Sequence, residues 1–226
     1  MNEQQPTTLH PMADKALVHA ARGVSLLCTP FLIPTFAFLF FFSGTFLRMV
    51  PQVYKLVVLG IVLNFTFVVP VVVILLHFRM IHATPQMRND RSYRFTPYLL
   101  TILSYLFGLY MVRQLNVPWY MTGILIAALF TIVVCLLANI RWKLSEHAAG
   151  AGVATGCLVA FGALLGFNPV GWLCVAILAS GIVGTARLIL HRHTLGEVLA
   201  GFAVGLICTL LVLHPLSILP FRHLLF

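Results

Sequence analysis

Long apolar runs alternate with short polar stretches along nearly the whole chain. The runs lie at about 24–47, 55–78, 97–112, 118–140, 147–166, 169–187 and 197–214. A helix needs roughly 20 apolar residues to cross the hydrocarbon core of a bilayer. The pattern therefore predicts an all-α polytopic transmembrane helical bundle of about six or seven spans, and the runs as read here number seven. The third is short, and Pro30, Pro34 and Pro70 are expected to kink the first two. Gly150, Gly152, Gly156 and Gly162, set among Ala148, Ala149, Ala151 and Ala154, give the fifth a small-residue face of the kind that lets helices approach closely in lipid. Residues 1–23 are polar, with Pro6, Pro11, Asp14 and Lys15, and read as a tail or interfacial helix with no cleavable leader. Residues 24–226 read as a single transmembrane domain.

Composition agrees with this pattern. The 226 residues are 61% hydrophobic and 8% charged, with a mean hydropathy of +1.02, which excludes a soluble domain. Cys28, Cys135, Cys157, Cys174 and Cys208 are scattered singly and read as small buried hydrophobes, with no C-x-x-C or His/Cys cluster pointing to zinc.

Charge adds more. The net charge is +9, yet no extended basic face or soluble module suits nucleic acid. Beyond Asp14 the acids are Asp90, Glu146 and Glu197, each in a short polar segment. Those segments, 88–97, 141–147 and 187–197, also hold seven of the 14 Lys/Arg residues. They follow the second, fourth and sixth spans, so seven spans place all three at one membrane face. Basic groups converging there suggest an anionic ligand, most simply phosphate.

Each segment carries candidate chemistry beside an ordinary explanation. In 187–197, His193 and Glu197 are four apart and share a helix face. The carboxylate can hold one imidazole nitrogen and leave the other as nucleophile or base. Arg187 offers a planar fork suited to phosphate. The plain alternative is a structural His–Glu bond with snorkelling arginine; His191 is a rival histidine with poorer spacing to Glu197. In 141–152, Ser145 and the first amides of a helix can bind an anion, and His147 can act as a general acid. Equally, Ser145 can be an N-cap with Glu146 in the first turn. In 88–97, Arg91 and Arg94 can share a helix face and hold phosphate oxygens, or belong to an ordinary positive loop.

Together the three segments resemble the type-2 phosphatidic acid phosphatase family, which shares its site with vanadium haloperoxidases and shows the pattern K-x6-R-P, P-S-G-H and S-R-x5-H-x3-D. Arg187, His193 and Glu197 match the third motif in spacing, with Ala186 for serine and Glu197 for aspartate. LSEH at 144–147 matches the second at Ser145 and His147, with Leu144 for proline and Glu146 for glycine. Arg94 with Pro97 resembles the end of the first, with Met87 where lysine would stand; Arg88 or Arg91 is a substitute for that charge, and Lys143 a further one. The resemblance covers roughly residues 85–210.

It implies an integral membrane phosphatase, expected in a bacterial inner membrane, acting on a lipid phosphate or polyprenyl diphosphate such as undecaprenyl diphosphate. His193 would form a phosphohistidine, Glu197 would orient its ring, and His147 would protonate the leaving oxygen. Arg187, Ser145 and Arg94, with Arg91 a weaker candidate, would hold the phosphate oxygens, and no metal or other cofactor is required. Glu146 sets a carboxylate beside an anion site and is expected to point away, pair with an arginine or keep its proton. The competing expectations are a divergent or inactive phospholipid-binding, transport or scaffold protein, and a lipid phosphotransferase. Sidedness pulls two ways: ten Lys/Arg on the motif side against four opposite favour the cytoplasm, whereas the resemblance implies an extracytoplasmic site.

Overall fold

The computed structural model describes residues 11–44, 49–80 and 95–213. Among these the chain is helical, with no strand. Helix α1 spans Pro11–Leu27 and α2 spans Ile33–Gly44, with a 3-10 turn at Pro30–Leu32 between them. Then come α3 (Gln52–Leu63), a π turn at Asn64–Val68, and α4 (Val69–Met80). Helices α5 (Phe95–Gln114), α6 (Trp119–Ala138), α7 (Glu146–Leu165), α8 (Val170–Ile189) and α9 (Leu195–Leu213) complete the bundle.

Among the described residues, seven segments are long and apolar enough to cross a membrane, the first two being the broken pairs Lys15–Ser43 and Gln52–Met80. The protein is thus an integral membrane protein with an all-α architecture. Both breaks have a proline cause. Pro30 interrupts the first span where Cys28 and Thr29 leave the helix. Pro70 lacks the N–H that would bond residue 66, and the π turn just before it absorbs the mismatch. The stretch read as a tail or interfacial helix is helical from Pro11 onward, and that helix runs without interruption to Leu27.

Helices α7 and α9 form the closest pair of the bundle, with α6 against α9, and α1 and α8 packed together beside them. Glycine makes the α7–α9 approach possible. A Cβ on Gly152 would overlap the Phe202 carbonyl, and one on Gly205 would overlap the Ala149 carbonyl. The expected small-residue face therefore has its partner on α9. Gly150 serves a different neighbour, meeting Pro30 and Ile33 at the break in the first span.

A core of Phe38, Phe41, Val58, Met121, Ile124 and Phe161 fills the half of the bundle away from the polar turns. Large apolar side chains on α8, among them Trp172, Leu178 and Ile182, face outward, as a lipid-facing helix requires. Cys135, Cys157 and Cys208 are buried as expected, but Cys174 lies on this outward face and is exposed. At the end opposite the polar turns, the Tyr54 hydroxyl donates to the Leu115 carbonyl at 3.2 Å, tying the start of the second span to the α5–α6 turn.

Candidate functional site

The α8–α9 connection explains the spacing of its polar residues. Arg187 occupies the last turn of α8. His191 has φ of +50° and sits just past the helix end. Its amide donates to the Leu188 carbonyl at 2.9 Å, and the Arg192 amide donates to the Arg187 carbonyl at 3.2 Å. This pair of bonds is a Schellman motif built on a histidine rather than the usual glycine. His191 is exposed by this turn, whereas His193, two residues on, is buried.

Thr194 then caps α9. Its Oγ1 accepts from the Glu197 amide at 3.4 Å, while Glu197 Oε2 accepts from the Thr194 amide at 3.2 Å. That reciprocal pair is a capping box. The same Oε2 meets His193 Nδ1 at 2.9 Å. One carboxylate therefore ends a helix and holds an imidazole, with the Nε2 edge of His193 left for other work. Burial pushes the His193 pKa below the ordinary histidine value; the Glu197 hydrogen bond opposes this, and the charges of Arg187 and Lys143 add to the lowering. A neutral ring at neutral pH follows, which is the nucleophilic form.

The second polar segment joins this turn directly. The Ser145 amide donates to the Glu197 carbonyl at 3.2 Å. Ser145 is completely buried and caps α7, its Oγ accepting from the Ala148 amide at 3.4 Å. The N-cap role weighed for it from the sequence is thus present. Lys143 Nζ donates to the Arg192 carbonyl at 3.3 Å, pinning the same connection from the side.

His147, in the first turn of α7, faces the end of α1. Its Nε2 lies 3.1 Å from the Ser25 carbonyl and 3.3 Å from Ser25 Oγ. Arg187 Nη1 donates to the same Oγ at 2.8 Å. Ser25 was not among the residues singled out from the sequence: a serine inside a span carries no signal of its own. His147 and His193 lie close enough to interact electrostatically, and Arg187 acts on both.

Glu146 is oriented elsewhere. It accepts from the Tyr98 hydroxyl at 2.7 Å and, with Tyr98, lines a cavity of about 300 Å³ between α5, α6 and α7. His147 instead lines an apolar cavity of about 320 Å³ bounded by Leu27, Ile33, Phe40, Phe161 and Trp172. Tyr98 brings the start of α5 to the α7 N-terminus; Arg88, Arg91 and Arg94 lie outside the described residues. The structure thus brings together His193, Glu197, Arg187, Ser145, His147 and Lys143.

No family model, characterised protein or solved structure matches the chain.

Proposed function

We propose that the protein is a membrane phosphatase of the type-2 phosphatidic acid phosphatase kind, hydrolysing a lipid phosphate or polyprenyl diphosphate through a phosphohistidine. The observation that carries this reading is the 2.9 Å contact of His193 Nδ1 with Glu197 Oε2, made beside Arg187 at the membrane edge. A histidine held at one nitrogen and neutral at the other is a nucleophile; a guanidinium alongside supplies the charge a phosphoryl group needs.

The reaction runs in two displacements. His193 Nε2 attacks phosphorus, forming a P–N bond as the bond to the lipid oxygen breaks. His147 gives its proton to that oxygen. Glu197 steadies the ring as it gains positive charge. Arg187, the Ser145 hydroxyl and Arg94 hold the nonbridging oxygens, with Arg91 as a further contributor. Water then attacks phosphorus, His147 takes the proton it sheds, the P–N bond breaks and phosphate leaves. Positioned cations do most of the work in phosphoryl transfer.

The apolar cavity of about 320 Å³ against His147 supports a lipid over a soluble phosphate ester, because it puts hydrocarbon space on the leaving-group side. The test is phosphate release by purified protein in chelator from phosphatidic acid, phosphatidylglycerol phosphate, undecaprenyl diphosphate and lipid A. Release inhibited by vanadate and lost in His193→Ala is expected. Turnover that survives in His193→Ala refutes the nucleophile, and binding of these lipids without turnover favours a non-hydrolytic lipid-binding protein.

A further inference from the structure

The two histidines of the site are held in mirrored ways. His193 has Nδ1 on the Glu197 carboxylate, which leaves Nε2 to react. His147 has Nε2 3.1 Å from the Ser25 carbonyl, an acceptor that requires the hydrogen to sit on Nε2 and leaves Nδ1 to act. The Ser25 hydroxyl, 3.3 Å from the same Nε2, also receives Arg187 Nη1 at 2.8 Å. One residue of the first span thus contacts both a candidate acid and a candidate phosphate-binding arginine.

We infer that Ser25 is a positioning residue of the phosphate site. The inference rests on the phosphatase reading and adds a fourth polar contribution to it, from a span that carries none of the three motif-like segments. Its carbonyl plays for His147 the part Glu197 plays for His193. It fixes the tautomer, with a hydrogen on Nε2 and Nδ1 turned to the proton transfer. Its hydroxyl sets the plane of the Arg187 guanidinium, so that this group is already oriented when a phosphate arrives. The break at Cys28–Leu32 is what allows this. It ends α1 at Leu27, two residues past Ser25, and redirects the chain into α2, while α1 packs on α8, the helix that carries Arg187.

The experiment compares wild-type protein, Ser25→Ala, Ser25→Thr and His193→Ala in detergent, reading kcat/KM on phosphatidic acid and the Kd for orthovanadate. A hydrogen bond to a charged group is lost in Ser25→Ala. kcat/KM should fall roughly 10-fold and vanadate should bind roughly 10-fold more weakly. Ser25→Thr, which keeps the hydroxyl, should restore both to within about threefold. The thermal midpoint of Ser25→Ala should stay close to wild type, which separates positioning from a folding defect.

Unchanged or improved rate and affinity in Ser25→Ala overturn the inference; improvement would make Ser25 an obstacle to phosphate rather than a guide. An active wild type with a dead His193→Ala and an unaffected Ser25→Ala refutes this inference alone. A wild type that binds vanadate without turnover refutes the phosphatase reading, and the affinity comparison still decides the Arg187 half of the inference. A wild type that neither turns over nor binds vanadate overturns both.

Discussion

The amide of Ser145 donates to the main-chain carbonyl of Glu197 at 3.2 Å, so the cap of α7 rests on the first turn of α9. Two candidate site segments 52 residues apart are thereby joined by backbone, independent of their side chains. Gly201 makes the approach possible: a Cβ there would stand 2.6 Å from the Ser145 carbonyl oxygen. Gly201→Ala and Gly205→Ala should each destabilise the protein by about 1–3 kcal/mol through overpacking. Gly201→Ala should also lower activity more than its stability loss explains, because it moves Ser145 against Glu197. Gly60→Ala and Gly181→Ala, where a Cβ meets nothing within 4 Å, should leave the thermal midpoint unchanged or slightly raised. Equal effects at all four positions in a thermal-shift series would contradict the packing argument.

Glu197 has two tasks that substitution can separate. Glu197→Gln keeps an acceptor for the Thr194 amide and so most of the capping box, but removes the charge that steadies the His193 imidazolium. It should cut kcat/KM by on the order of 10²-fold or more, with little change in thermal midpoint. Thr194→Ala does the reverse: it removes the oxygen that accepts from the Glu197 amide, costs about 1 kcal/mol of stability, and should leave the rate within a few-fold. Parallel losses of rate and stability in both variants would reduce Glu197 to a cap.

How far the sequence reached depended on the kind of signal. Runs of about 20 apolar residues are long-range and redundant, so the spans were legible, and a one-residue error at an end changes little. The capping box is also written in the chain, as Thr194-x-x-Glu197, and shares its glutamate with the His193–Glu197 pair. It gives a physical reason for glutamate at 197: position N3 of a capping box suits Glu, whose extra methylene reaches back to the cap amide. Local pattern does not give the Tyr98 partner of Glu146 either, because that hydroxyl comes from 48 residues away. Ser25 could not be found from local pattern. Its role comes from where the Pro30 break sends the first span, and it meets partners 122 and 162 residues away.

The pH profile should report His193. Burial lowers its pKa, so the acid limb of kcat/KM should fall below the ordinary histidine value of about 6.5. The Glu197 hydrogen bond acts in the opposite direction, favouring the protonated ring. Removing the charge in Glu197→Gln should therefore move the acid limb to still lower pH while the plateau drops. A limb that moves upward in Glu197→Gln, or is unmoved, would mean that another group titrates.

The cavity beside His147 should set chain-length preference. Ala154 lines it two turns below His147 on the same face of α7. Ala154→Phe should fill part of the roughly 320 Å³ and raise KM for long-chain lipid phosphates. Hydrolysis of a short, water-soluble phosphate ester, which needs only the polar mouth, should change by less than about threefold. Equal losses on both substrates would place the lipid chain elsewhere.

Glu146 offers the sharpest test of whether the polar face favours anions. The residue precedes His147 and keeps a carboxylate near a site proposed for phosphate, although its Oε1 is turned to the Tyr98 hydroxyl at 2.7 Å. Glu146→Gln preserves an oxygen for that hydroxyl and removes the charge. If the carboxylate only repels the ligand, vanadate should bind a few-fold more tightly, a gain of about 0.5–1 kcal/mol. Tyr98→Phe should act differently. It withdraws the donor that turns Glu146 into the α5–α6–α7 cavity, so the carboxylate gains freedom to approach the anion and vanadate affinity should fall. Opposite signs from two substitutions on one hydrogen bond would be hard to obtain from a general loss of packing. Weaker vanadate binding in Glu146→Gln would instead identify Glu146 as the group that orients one of the arginines, and calorimetric titration of the two variants beside wild type distinguishes these outcomes.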